Sequence, residues 1–228
     1  MPVLKGISLA ILALLSLAAC GGGSVAPATA SADPASPTAS AAASKIAGGT
    51  SFTVTSASKG TVRAREQLAN VQAPSDAVLT TSKLTGSFTL KPDGTFTADS
   101  KITADLTALQ SDRSQRDQFI KMSTLETRSF PNAEFVPKTT NGLTLPLADG
   151  ADLTFKVTGA MTIHGTTKEV TLDVKAKRSG SDLTATVTND GAPWIFADFG
   201  MTVPRVATVL SIVDKLNIQV DLVATEVK

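Results

Sequence analysis

Alternation of apolar and polar side chains, repeated in segment after segment, is the feature that most narrows the folds open to this chain. From Phe96 to Leu106 the apolar or small residues fall on every second position, with polar and charged residues between them. Successive side chains of a strand point to opposite faces, so this is the period of a half-buried strand. Leu153–Val157, Val170–Val174 and Leu216–Leu222 show the same period, and Thr61–Leu68, Lys83–Leu90, Glu134–Thr139 and Asp182–Thr188 are further candidates. Turn signals separate them at Pro92-Asp93-Gly94, Asn141-Gly142, His164-Gly165 and Ser179-Gly180, of which the first and third join neighbouring strands as hairpin turns. One segment, Ser111–Met122, breaks the period and suits a short helix. Ser111 or Ser114 would cap it, Ser114 with Asp117 is a weak capping box, and Phe119, Ile120 and Met122 would face the core. Pro131 limits any later helical extension. The reading is an all-β body of about eight antiparallel strands with a short helix, and periodicity leaves both sandwich and barrel open.

The N-terminus has a different grammar. A single charge at Lys5 precedes an apolar stretch from Ile7 to Ala19 and the tetrapeptide Leu17-Ala18-Ala19-Cys20. The stretch is short for a permanent span, and the small residues before the cysteine suit a peptidase pocket. It resembles a lipoprotein signal peptide, residues 1–19, ending in a lipobox. Cys20 would take a thioether-linked diacylglycerol, and the amine freed by cleavage a further chain such as palmitate; two or three chains anchor stably where one does not. Residues 20–49 then read as the lipidated cysteine and a linker. From Gly21 to about Ala43 they are Gly, Ser, Ala, Pro and Thr, almost without charge or large apolar groups. Such a composition does not offset its ordering entropy and is expected to be a disordered tether. The expected location is the cell envelope outside the cytoplasmic membrane. Gly21 after the cysteine, instead of Asp, resembles the Gram-negative pattern that permits transfer to the outer membrane, facing the periplasm.

Cys20 is the only cysteine, so the exported body holds no internal disulfide and its stability must come from a core. Residues 50–228, roughly 180, are enough for one core that buries about 70% of the unfolded surface. The formal net charge is +1 and the Lys and Arg residues are scattered along the sequence, which argues against nucleic acid and against electrostatic attraction to membranes. His164, the only histidine, builds neither a triad nor a multi-histidine metal site and reads as a turn residue. Asp112, Arg113, Arg116 and Asp117 read as helix caps and surface pairs. Asp198-Phe199-Gly200 spells a kinase tripeptide by accident, since no phosphate loop accompanies it.

Several segments carry a family resemblance. Asp105-Leu106-Thr107-Ala108-Leu109-Gln110-Ser111-Asp112, Arg116–Ile120, Leu125-Glu126-Thr127 and Phe130-Pro131-Asn132-Ala133-Glu134-Phe135 resemble the central signature of the YceI-like family. So do Val157–Thr171 and Phe196–Met201, with matching order and spacing. The resemblance covers nearly all of the body. It implies a closed, lipocalin-like, eight-stranded antiparallel barrel with an apolar interior that binds polyisoprenoid chains such as a quinone tail. It implies no enzymatic chemistry and no cofactor other than such a bound lipid. Commoner members carry an aromatic and a His near the start, where this chain has Val62–Leu68, and the chain has no Tyr; these departures bear on the ligand's head group.

Burial of an isoprene unit, about five carbons at roughly 0.8 kcal/mol each, gains on the order of 3 to 4 kcal/mol gross. A few units match micromolar binding, about 8.2 kcal/mol, before the cost of ordering the chain. The candidate lining residues are the inward apolar positions Phe88, Phe96, Ile102, Phe119, Phe135, Phe155, Val157, Leu172, Val174 and Phe196. The plainer alternative is that they fill a solid core, as side chains do in many small barrels. Glu66 shares the apolar face of Val62, Ala64 and Leu68, and an inward carboxylate must find a partner or protonate. It is either a head-group contact at the barrel mouth with Arg205 as companion, or, more plainly, part of a bulge or structural ion pair. The expected partners are an apolar or amphiphilic lipid and, through Cys20, the membrane; monomer and homodimer both stay open. Two other roles compete: a solid envelope barrel without ligand, and an enzyme acting on a small amphiphile with Glu66 as general base.

Overall fold

The computed structural model describes residues 48–228; the expected signal peptide, Cys20 and nearly all of the linker lie outside the described residues. Ten strands form one sheet: β1 (Thr50–Val54), β2 (Lys59–Leu68), β3 (Ser75–Thr81), β4 (Leu84–Leu90), β5 (Lys101–Asp105), β6 (Asn132–Asn141), β7 (Asp152–Ile163), β8 (Thr166–Ser179), β9 (Asp182–Thr188) and β10 (Val209–Glu226). Every pairing is antiparallel. The order β1-β4-β5-β6-β7-β8-β9-β10 closes on itself because β10 also pairs with β1, from Phe52 opposite Glu226 to Val54 opposite Ala224. The body is therefore a closed eight-stranded barrel, as the resemblance implied.

The hairpin β2–β3 fits into this ring as an extension of its wall. β2 pairs with β10 from Val209 to Asp221 and β1 with its end, Ala224 to Glu226, so the two strands follow one another along a single long neighbour. At the break the buried Ser58 hydroxyl accepts the Val223 N–H at 2.9 Å, while the Thr55 N–H donates to the Val223 carbonyl at 2.8 Å. A side chain thus satisfies a backbone group that a continuous ladder would have paired.

The strands seen in the sequence are present, with different limits. β7 extends beyond Val157 to Ile163, β8 spans Thr166–Ser179, and β10 spans Val209–Glu226. Phe96 does not begin a strand that runs to Leu106. A turn intervenes, where Ser100 Oγ accepts the Thr89 N–H at 3.0 Å and bonds Thr97 Oγ1 at 2.9 Å. His164 and Gly165 both have positive φ, 50° and 71°, as a two-residue turn between right-twisted strands requires.

The helix α1 (Ser114–Phe119) continues into a π-turn, Ile120–Thr124. Its capping differs from the expectation. Ser114 is its first residue, and the Asp117 carboxylate reaches back to accept the Ser111 N–H at 2.8 Å and its hydroxyl at 2.6 Å. Met122 is 45% exposed instead of core-facing, because the wider π-turn departs from the 3.6-residue period on which that expectation rests.

Candidate functional site

The barrel interior has a filled half and a hollow half. In the filled half Phe52 stacks on Phe88 with centroids 5.3 Å apart, and Phe96 meets Phe88 edge-on at 6.2 Å. Val157, Val174, Ala176, Leu183 and Leu222 close the same cluster, with Phe155 packed against it. Around the other half lies a second cluster that includes Leu79, Met161, Leu172, Trp194 and Phe199. Beneath α1 this half encloses a cavity of about 410 Å³. Its wall carries Gly60, Ala64, Ala77, Ala104 and Ala133, so side chains too small to reach the barrel axis stand where larger ones would fill a barrel of this width.

One ion pair interrupts the apolar lining. Val62, Ala64, Glu66 and Leu68 all face the cavity, as their alternation requires, while Arg65 turns outward to Asp76 at 3.0 Å. Glu66 is 5% exposed and accepts a hydrogen bond from Arg116 Nη2 at 2.5 Å. The other terminal nitrogen of Arg116, Nη1, donates to Asp112 at 2.5 Å, and this bond holds the Asp112 carboxyl below the usual carboxylate range. The guanidinium thus joins a buried carboxylate to an exposed one and anchors α1 over the cavity. Glu66 stands opposite Ile212 of β10, between two breaks in register that let β10 swing past it.

The structure distributes the sequence candidates between the two halves. Ile102, Phe119, Phe135 and Phe196 line the cavity together with Glu66. Phe88, Phe96, Phe155, Val157 and Val174 do not; they belong to the filled half, since the inward face of each strand runs the full height of the barrel and only part of it borders the void. Leu172, 2% exposed, packs within the second cluster and not on the cavity wall. Arg205 does not meet Glu66. It lines an adjoining opening with Pro204, Asp214 and Ser123.

Arg116 and Trp194 are the most informative of the cavity residues that escaped the sequence reading, which also omitted Leu79, Leu109 and Met161. Arg116, read as a surface charge, is 13% exposed and points inward. Its spacing to Phe119 and Ile120, i, i+3 and i+4, puts it on their face of the helix and was the available signal. Trp194 sits in the irregular segment between β9 and β10, where no period applies, yet it is 4% exposed, lines the cavity and meets Phe199 edge-on at 5.2 Å. His164 lies outside this site, in the β7–β8 turn, with its ring against Phe130 at 4.7 Å and Nε2 3.6 Å from Glu126. Among the described residues no group of three or more His, Cys, Asp or Glu side chains is placed to hold a metal.

The family model of the YceI-like domain matches residues 41–224, which take in nearly the whole of this barrel. The chain belongs to the YceI-like family. Protein YceI of Escherichia coli O17:K52:H18 is 32% identical over 99 residues, 40% of this chain and 48% of that protein, so the match spans about half the length of this relative. Among solved structures, a polyisoprenoid binding domain from Saccharophagus degradans superposes with a TM-score of 0.59 at 16% identity, over 76% of this chain and 97% of the other. BcnA of Burkholderia cenocepacia gives 0.56 at 20% identity, over 75% and 99%. The YceI protein of Campylobacter jejuni gives 0.52 at 17% identity, over 71% and 91%. These likenesses show that the fold is that of the family.

Proposed function

We propose that this YceI-like protein binds the apolar chain of an amphiphilic lipid, of the polyisoprenoid class, inside the hollow half of its barrel. The observation that carries the reading is the cavity itself. It has a volume of about 410 Å³, apolar walls and one buried ion pair. That size falls within the roughly 300–1,000 Å³ of small-molecule sites, and a wall built largely of hydrocarbon with few polar groups is the usual composition of such sites. An apolar void of this kind gains by filling, because its lining has no atoms opposite it. The structural neighbour from Saccharophagus degradans is described as a polyisoprenoid-binding domain, which supports the same ligand class here. The Glu66–Arg116 pair lies on the wall and would meet the polar end of the lipid or the first atoms after it.

Lipidation of Cys20 belongs to the same proposal. It would keep the barrel in the envelope, close to the membrane in which such lipids dissolve, and the linker would give it reach. The proposed role is carriage or storage, with no bond made or broken in the ligand.

Titration of the purified full-length protein with a polyprenol and with an isoprenoid quinone tests the reading. Micromolar or tighter uptake of either is expected, and Ala64→Trp, which places an indole in the void, is expected to weaken it at least about tenfold while the barrel still melts cooperatively. Absence of uptake by the unmodified protein, or uptake indifferent to Ala64→Trp, would contradict it.

A further inference from the structure

The first five residues of β10, Val209–Val213, carry apolar side chains on both faces and only one polar residue, Ser211. Val209 and Ile212 face the cavity, while Leu210 and Val213 face outward at 69% and 48% exposure. The second half alternates normally, with Asn217, Gln219 and Asp221 between Leu216, Ile218, Val220 and Leu222. A strand apolar on both sides is the pattern of one covered on both sides. Both outward residues fall in the register breaks of β10, one between Val209 and Ser211 and the other between Ile212 and Leu216. Bulges beside a binding site re-aim side chains.

Three of the other four large apolar residues exposed among the described residues, Val71, Met122 and Ile195, also adjoin residues that line the cavity or its opening. Val71 bonds back to Leu68, Met122 precedes Ser123, and Ile195 lies between Trp194 and Phe196. The sixth, Val227, pairs with Ser51 at the far end of β10. Three cations stand among them. Lys121, Arg205 and Lys215 make no ion pair among the described residues, and the nearby Asp214 is engaged by the Phe196 N–H at 2.9 Å. Lys121 precedes Met122, Lys215 follows Val213 by two residues, and Arg205 lines the opening together with Asp214.

We infer that these residues form a rim that docks on a lipid bilayer bearing anionic head groups, with Leu210 and Val213 entering the interface, Lys121, Arg205 and Lys215 meeting head groups, and the cavity opening toward the acyl chains. Apolar side chains flanked by basic ones suit an interfacial site, since burial and attraction to anionic lipids act together. The inference deepens the proposed lipid binding. An isoprenoid drawn directly from the bilayer avoids the unfavourable exposure of its long apolar chain to water.

The test uses the chain from Gly21 to Lys228, which holds every strand and lacks Cys20, so that an introduced cysteine is the sole one and no anchor holds the protein on vesicles. Leu210→Cys and Val227→Cys are labelled with bimane and mixed with phosphatidylglycerol–phosphatidylcholine vesicles containing nitroxide lipid. The label at 210 is expected to shift blue and be quenched, and the label at 227 to stay as in water. Neutralising the three cations together, Lys121→Gln, Arg205→Gln and Lys215→Gln, is expected to weaken vesicle binding by roughly a hundredfold. Equal quenching at both positions, no quenching at either, or a label at 210 buried against a second copy of the chain would overturn the inference. Mass spectrometry of lipid retained by the same samples separates the two claims. Retained lipid without contact at 210 leaves the binding reading standing and removes the docking; contact without retained lipid does the reverse.

Discussion

At the scale of single residues, the decisive group is the Glu66–Arg116 pair. Alternation along β2 made the inward direction of Glu66 legible, because a strand permits no other face to a residue between Ala64 and Leu68. Its partner was legible only in part. Arg116 shares a helix face with Phe119 and Ile120, but nothing in the linear sequence brings that face over β2, fifty residues earlier by the separation of the bond. Removing Arg116 leaves Glu66 buried and unpaired, so Arg116→Ala is expected to cost about 3 kcal/mol or more in denaturant unfolding, whereas Glu66→Ala is expected to cost less because Arg116 keeps its bond to Asp112. The apolar double replacement Glu66→Leu with Arg116→Met is expected to cost less than the sum of the single changes, and an additive double mutant would show that the pair is not coupled.

Asp112, mostly exposed, has a smaller part whose sign is fixed. Its carboxyl is held below the ordinary value of 3.8, first by the hydrogen bond from Arg116. A depressed acid contributes stability above its unfolded pKa, and that contribution is lost as pH falls through the folded one. Carboxyl NMR titration should place the Asp112 midpoint below 3.8, and Arg116→Met should raise it toward that value. A midpoint unmoved by the substitution would mean that the bond does not persist in solution.

At the scale of elements, the sequence showed the strands better than their ends. β9, Asp182–Thr188, was found with its limits because turns bound it on both sides. β1 is only five residues long, and β3 holds Ala77, Val78 and Leu79 in succession, so neither displays the two-residue period clearly. Glycine shows how tightly elements meet. A Cβ on Gly159 of β7 would stand 2.5 Å from the Val136 carbonyl oxygen and 2.8 Å from the Phe135 ring, against the neighbouring strand and a cavity-wall residue. Gly159→Ala is expected to cost about 1–3 kcal/mol, mainly through overpacking. Gly142 has open space around it and only a positive φ of 82° to lose, so Gly142→Ala is expected to cost about 1–2 kcal/mol, through backbone strain alone. Thermal melts measure both costs, and a lipid-uptake assay distinguishes the two variants, since only Gly159→Ala presses on Phe135 of the cavity wall.

At the scale of the whole molecule, periodicity indicated an all-β body but not its closure, which only the family resemblance implied. Whether β10 ends on β1 depends on pairings between the two ends of the fold, which leave no periodic trace in either strand. The division into filled and hollow halves was equally hidden. The large side chains of one half and the small ones of the other lie on the same inward faces, and only the closed ring sorts Phe88 and Val157 from Phe135 and Ile102. The picture that results is a barrel with a solid floor, an apolar chamber and a helix held over it by one buried ion pair. Native mass spectrometry of the full-length protein, purified gently from the cells in which it is made, tests that picture most directly. One bound lipid of isoprenoid mass per barrel is the predicted result; protein that is uniformly empty, and stays empty when quinone or polyprenol is added, would contradict it.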